Sequence, residues 1–177
     1  QRQMCIRDST NNIDKTNIKY IVINKLVTDI SSNCFQGCNN LSRIIFDASS
    51  VLTSIGSNAF QQSGLTTITI PASVTSIGNG AFWNCSSLTY VIFDPSSVLT
   101  SIEEQAFQES GLTTITIPAS VTFIGESAFQ ECSNLTSVSF ESVSQLTSIG
   151  YYVFQQSGLT TITIPASVTF IGQSAFQ

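Results

Sequence analysis

A stretch of ten residues occurs three times without change, and this constrains the fold more than any other feature. Leu65–Val74 reads LTTITIPASV, and the same letters return at 112–121 and 159–168, so both steps are 47 residues. A related, longer form begins midway between these copies, at Leu41, Leu88 and Leu135. The unit therefore alternates between 24 and 23 residues. Self-similarity at this period predicts a solenoid in which each unit is one coil.

The repeat also sets the domain boundaries. We expect a solenoid over residues 18–177, with six complete coils and a seventh that is cut short. Residues 1–17 match no coil and form an N-terminal tail, of which residues 1–9 are interpreted as foreign to the natural protein. The coils are 18–40, 41–64, 65–87, 88–111, 112–134, 135–158 and 159–177, and they are numbered 1 to 7 below.

Each coil has the same physical logic, and coil 3 shows it best. Residues 65–70 alternate apolar and Thr side chains, a pattern typical of a half-buried strand. Pro71 has no amide hydrogen to donate and ends the strand. Val74 and Ile77 then return to the core, and a short helical turn carrying Phe82 precedes the next coil. The turn is too brief to be stable alone, so neighbouring coils must support it.

One phenylalanine recurs in every coil. Because a side chain that returns once per coil stacks on its own copies, we expect a continuous internal aromatic column. Burial of each ring stabilises the fold by roughly 1.5–3 kcal/mol, so a single coil does not offset its own ordering entropy. The members are Phe35, Phe60, Phe82, Phe107, Phe129, Phe154 and Phe176.

These residues resemble the BspA-like leucine-rich repeat family, whose unit runs approximately L-x-x-I-x-I-P-x-x-V-x-x-I-x-x-x-A-F-x-x-C. Coils 3 and 5 match it closely, with Pro71 and Cys85 in one and Pro118 and Cys132 in the other. The resemblance implies a leucine-rich-repeat solenoid, with a parallel β-sheet on the concave face and short strands or helical turns on the convex side. It also implies an extracellular or cell-surface protein that takes part in adhesion and protein binding.

The longer coils depart from this pattern. They carry two additional residues after the strand and lack the cysteine. Asp47 and Glu141 stand where the family has proline, and Asp94 precedes Pro95. Insertions of this kind fall in loops, so the fold prediction is unchanged while the two kinds of coil differ chemically.

Composition argues against several classes of function. The chain has no histidine, which is the usual general base and the commonest metal ligand, so we predict neither an enzyme nor a cofactor. All six Lys and Arg residues lie in the first 43 positions, whereas residues 44–177 carry eight acids. A nucleic-acid partner needs clustered cations and is not expected. No apolar run reaches the roughly 18 residues of a membrane span.

The cysteines are interpreted as small buried hydrophobes. Cys38, Cys85 and Cys132 occupy one coil position 47 residues apart, which places them about 9–10 Å from each other in stacked coils. Disulfide bonds need Cα atoms within roughly 7 Å, so pairing is not expected. Cys34 occupies the small position before Phe35, and Cys5 belongs to the tail.

The acidic cluster Glu103, Glu104 and Glu109 is interpreted as solvated charge at a corner, because no calcium-loop spacing accompanies it. Sequons at Asn40, Asn84 and Asn134 are expected by chance in a chain so rich in Ser and Thr.

The outward positions of the strands are the candidate binding site. If Leu65, Ile68 and Ile70 point inward, the intervening residues form columns on one sheet face, rich in Thr and dotted with Tyr and Ile. Such a face suits recognition of a protein or glycan, and equally suits a solvated sheet whose Thr residues serve strand formation. The partner-binding candidates are Tyr20, Arg43, Ile45, Thr67, Thr69, Tyr90, Ile92, Thr114, Thr116, Thr161 and Thr163.

Three functions remain open from the sequence. The first is a non-enzymatic binding or adhesion module that uses the sheet face. The second is a structural spacer within a larger surface protein. The third, a remote one, is ice binding through the T-x-T units, although these recur only in alternate coils.

Overall fold

The computed structural model describes residues 3–4 and 17–177, and it confirms a parallel β-solenoid of stacked coils. Coils 1 to 6 each contribute a four-residue strand, and a two-residue strand follows in every coil. The long strands are β2 Tyr20–Ile23, β4 Arg43–Phe46, β6 Thr67–Ile70, β8 Tyr90–Phe93, β10 Thr114–Ile117 and β12 Ser137–Phe140. The short strands are β1 Gln3–Met4, β3 Asp29–Ile30, β5 Ser54–Ile55, β7 Ser76–Ile77, β9 Ser101–Ile102, β11 Phe123–Ile124, β13 Ser148–Ile149 and β14 Phe170–Ile171.

The strands form separate parallel sheets along the solenoid. All the short strands join one eight-stranded sheet in the order β1-β3-β5-β7-β9-β11-β13-β14. Its first strand comes from the tail, where Gln3 pairs with Asp29. The other tail residues, including Cys5, lie outside the described residues. The long strands form two sheets, one of β2-β4 and one of β6-β8-β10-β12.

The core follows the predicted alternation. In β6, Ile68 and Ile70 are buried while Thr67 and Thr69 are exposed. The aromatic column is also confirmed, since successive rings lie 5.1 to 5.5 Å apart and within 15° of parallel. The column therefore holds all the coils at nearly equal spacing.

The segment around each Phe is a run of turns whose backbone bonds lead to the next coil. Phe60 N–H donates to the carbonyl of Ala81 at 2.8 Å, and Gln62 N–H donates to the carbonyl of Trp83 at 2.9 Å. Asn58 and Gln62, on either side of Phe60, have φ values of 53° and 55°. Every second amide of the segment, those of Asn58, Phe60 and Gln62, donates to the following coil, which gives a third ladder of inter-coil hydrogen bonds.

The glycine at the corner after the short strand is needed for space. Gly78 does not have a positive φ, but a Cβ placed on it would lie 2.9 Å from the amide nitrogen of Ser57 in the coil before. The close approach of two backbones, rather than an unusual conformation, accounts for this residue.

Candidate binding surface

The eleven partner-binding candidates all lie on the exposed face of the long strands and of the matching residues of coil 7, here called the sheet face. Tyr20, Tyr90 and Ile92 are more than half exposed. The face consists of two columns, each with one residue from every coil. The first column is Tyr20, Arg43, Thr67, Tyr90, Thr114, Ser137 and Thr161, and the second is Val22, Ile45, Thr69, Ile92, Thr116, Ser139 and Thr163.

The strand register shows which residues of the two columns are neighbours on adjacent coils. Tyr20 pairs with Arg43 and Val22 with Ile45, while Thr67 pairs with Tyr90 and Thr69 with Ile92. The apolar side chains therefore lie in two groups, one on coils 1 and 2 and one on coil 4.

Val22 was not among the sequence candidates, although 58% of its surface is exposed. Val22 could have been identified from the sequence, because it lies at the repeat position of Ile45 in the preceding coil.

The sheet face is not continuous, because it opens at every step from a longer coil to the shorter coil that follows. Pairing between β6 and β8, and between β10 and β12, extends over four residues. Between β8 and β10 it is limited to Thr114 and Tyr90, and between β4 and β6 the sheet is divided. Coil 7 has no long strand, so the same opening recurs after β12.

These openings are three equivalent grooves, 47 residues apart. The first lies between residues 43–50 and 69–72, and encloses about 330 Å³. The second lies between residues 90–93 and 114–116, and encloses about 260 Å³. The third lies between residues 137–144 and 161–167, and encloses about 650 Å³.

The last residue of a long strand differs between strands that are followed by an opening and strands that are not. Strands β6 and β10 end on Ile70 and Ile117, which are completely buried. The longer coils instead end their strands on Phe46, Phe93 and Phe140, which are half-buried and form part of the groove walls. On the opposite side of the core the column stays closed, since the Phe107 and Phe129 rings are 5.3 Å apart.

A carboxylate follows each of these Phe residues. Asp47 and Asp94 each accept the amide hydrogen of the residue two positions later, Ser49 or Ser96, at 2.9 Å. The longer Glu141 reaches the preceding coil, where its Oε2 accepts from the Ala119 amide at 2.9 Å. Within the described chain, the second oxygen of each carboxylate has no hydrogen-bond partner.

The four described cysteines are buried and form no disulfide bond, which confirms their interpretation as core residues. The Cys85 thiol donates to the Phe60 carbonyl at 2.9 Å, and its sulfur is 3.4 Å from the Ser63 hydroxyl oxygen. Cys132 has the same surroundings in coil 5. Burial raises the pKa of each of these two thiols to about 11, so both are protonated at neutral pH.

Two carboxylates of the acidic cluster accept hydrogen bonds from nearby side chains. Glu103 accepts from the Ser101 hydroxyl at 2.6 Å, and Glu109 accepts from the Trp83 indole nitrogen at 3.1 Å. Among the residues that the structure describes, no three His, Cys, Asp or Glu side chains are grouped closely enough to hold a metal ion. Over the same residues, no helix has the length and apolar character needed to cross a membrane.

The repeat matches one family over nearly its whole length. The model of the BspA type leucine-rich repeat region matches residues 9–98 and 53–177, with six copies. The chain belongs to this family. In this BspA-type chain, Ile70, Ala81, Phe82 and Cys85 of coil 3 are all completely buried. A search of curated proteins found no significant match.

Solved structures of bacterial leucine-rich-repeat proteins have the same fold. The pneumococcal vaccine antigen PcpA is 24% identical, with a TM-score of 0.67 over 89% of this chain and 48% of that one. A leucine-rich cell surface protein from Faecalibacterium prausnitzii is 28% identical, with a TM-score of 0.55 over 89% of this chain and 57% of the other. This BspA-type chain thus spans about half the length of these two solved proteins.

Proposed function

We propose that this BspA-type chain is a non-enzymatic binding module of a cell-surface or secreted protein, and that it contacts a protein or glycan through the sheet face. The observation that carries the proposal is the exposure of Tyr20, Val22, Tyr90 and Ile92 on hydrogen-bonded strands. Thr67 and Thr69 are the uncharged partners of Tyr90 and Ile92 on the neighbouring strand. Large apolar side chains fixed by β-pairing offer contact area at low entropic cost, and aromatic anchors among neutral polar groups are typical of recognition surfaces.

Two further observations support the proposal. The F. prausnitzii relative is described as a cell surface protein, which agrees with a surface location for this chain. The absence of histidine from the sequence removes the usual general base and agrees with a non-catalytic role.

The test compares two double variants, each of which replaces one aromatic and one aliphatic side chain with alanine. Tyr90→Ala with Ile92→Ala removes the apolar group of coil 4 from the sheet face, whereas Val98→Ala with Phe123→Ala removes exposed apolar side chains elsewhere. Both proteins and the parent chain are screened against arrays of surface proteins and of glycans, and each ligand found is then titrated.

We expect the sheet-face variant to lose at least about tenfold in affinity, as hot-spot residues do, while the control retains parent affinity. Equal affinities for all three proteins, with melting temperatures unchanged, would remove the sheet face as the binding surface and favour a spacer role.

A further inference from the structure

We infer that the second groove binds the side chain of a lysine or arginine from a partner polypeptide. The inference rests on the proposed function, because it requires that a partner approach the sheet face. It adds the chemistry of that partner and the place where its charge is held.

The shape of the groove admits a side chain and excludes an inserted strand. At one end, the pairing of Thr114 with Tyr90 holds β8 and β10 together. Beneath the groove, the rings of Phe107 and Phe129 remain 5.3 Å apart. An additional strand would need about 9–10 Å between its neighbours, twice the usual strand spacing. The opening is therefore a wedge of side-chain size.

The walls of the groove match the two parts of a long basic side chain. Ile92, Phe93 and Ile115 offer an apolar lining for a methylene stem. Tyr90 lines the groove with an aromatic ring, a group that attracts cations, and Glu141 lines the same groove with a carboxylate. Lys and Arg are the residues that combine an apolar stem with a charged head.

The charge of the second groove is not balanced by a cation from residues 44–177. Residues 44–177 contain eight acids and no Lys or Arg, so Glu141 has no cation of its own in this part of the sequence. The first groove differs because Arg43 is part of its lining. The third groove has Ser137 where the second has Tyr90. Glu141 lines the third groove as well, together with Phe140. Among the three grooves, the second alone combines a tyrosine ring with an apolar wall and a carboxylate and has no cation in its lining.

The probe is hexalysine, compared with hexalysine in which every amine is acetylated. Acetylation keeps the stem and removes the charge. Binding is followed at low salt by amide chemical shifts of the isotopically labelled chain. We expect hexalysine to shift the amides of residues 90–93 and 114–116, and the acetylated peptide to leave them in place.

The matched variants are Glu141→Gln and Glu104→Gln. Both remove one negative charge. The amide oxygen that the first substitution introduces can still accept from Ala119, and Glu104 lies at an exposed corner away from the sheet face. We expect E141Q to weaken hexalysine binding at least about threefold, and E104Q to change it much less.

Equal weakening by the two variants would overturn the inference, because it would mean diffuse attraction to an acidic protein. Equal shifts with the acetylated peptide, or shifts confined to other amides, would overturn it as well. If an uncharged N-acetylglucosamine hexamer shifts the residues of the second groove and hexalysine does not, the inference fails while the proposed binding function stands.

Discussion

At the scale of single residues, the aromatic column concentrates stability in a few buried rings. Phe107 is completely buried and stacks on Phe82 at 5.1 Å and on Phe129 at 5.3 Å. Since each coil contacts only its neighbours, a lost ring weakens two interfaces at once.

We expect Phe107→Ala to lower the free energy of unfolding by about 3–5 kcal/mol, the range for truncating a buried aromatic residue. Phe123→Ala is the control, because Phe123 is 38% exposed, and its effect should be clearly smaller, about 1 kcal/mol. Urea unfolding followed by circular dichroism measures both. A loss for F107A no larger than that for F123A would show that the column contributes little.

The buried thiols predict a loss of stability in alkali. Burial raises the pKa of Cys85 and of Cys132 from the ordinary thiol value of 9.0 to about 11, so the folded state retains protons that the unfolded state releases. The contribution of these thiols to the free energy of unfolding is therefore complete below pH 9. It declines between pH 9 and 11, by about 2–3 kcal/mol per thiol. Unfolding titrations across this range measure it. Cys85→Ser with Cys132→Ser should remove this part of the decline, and an unchanged pH profile would contradict the assignment.

The phenylalanine positions were predictable from spacing alone, because a once-per-coil residue must stack on its copies. The left-handed residues beside them were not. Asn58 is a residue type that favours positive φ, but Gln105, Ser127 and Tyr152 adopt the same conformation without any local preference for it. Their conformation follows from hydrogen bonding to the next coil, which only the stacked structure supplies.

At the scale of elements, identical segments behave differently according to their neighbours. The letters TITI form strands at Thr67–Ile70 and Thr114–Ile117, but residues 161–164 form none. Both strands pair fully with a following coil, whereas in this structure residues 161–164 are stacked on coil 6 alone. The strand signal was therefore correct for a coil with neighbours on both sides, and tertiary pairing decides whether it is realised.

Hydrogen exchange tests this dependence with a control built into the sequence. Intrinsic exchange rates are equal for the three identical segments, so differences report on structure alone. We expect the amides of residues 161–164 to exchange much faster than those of Thr67–Ile70 and Thr114–Ile117. Similar protection in all three copies would mean that pairing to a following coil does not stabilise the strand.

At the scale of the whole molecule, the unusual charge distribution sets the response to salt. Residues 44–177 carry only negative charges, so long-range interactions within this part are repulsive. This charge distribution is visible in the sequence alone. The division of the long-strand sheet between β4 and β6 was not predictable in this way, because it depends on the pairing of stacked coils.

We expect the melting temperature to rise by a few degrees between about 20 and 300 mM sodium chloride, since screening weakens repulsion within about one Debye length. A variant with Glu104→Gln and Glu126→Gln, both exposed, should show a smaller rise. Scanning calorimetry measures both. A melting temperature that falls with salt would mean that attractive pairs dominate.

Grooves and fully paired steps alternate along the solenoid, so each groove has a fixed place in the 47-residue period. Duplication or loss of 47 residues keeps every opening between the same kinds of coil, whereas gain or loss of a single coil places two like coils side by side and shifts every later groove. Lengthening of such a protein during evolution is therefore expected to proceed in pairs of coils, and the parity of its repeats should be more constant among related sequences than their number.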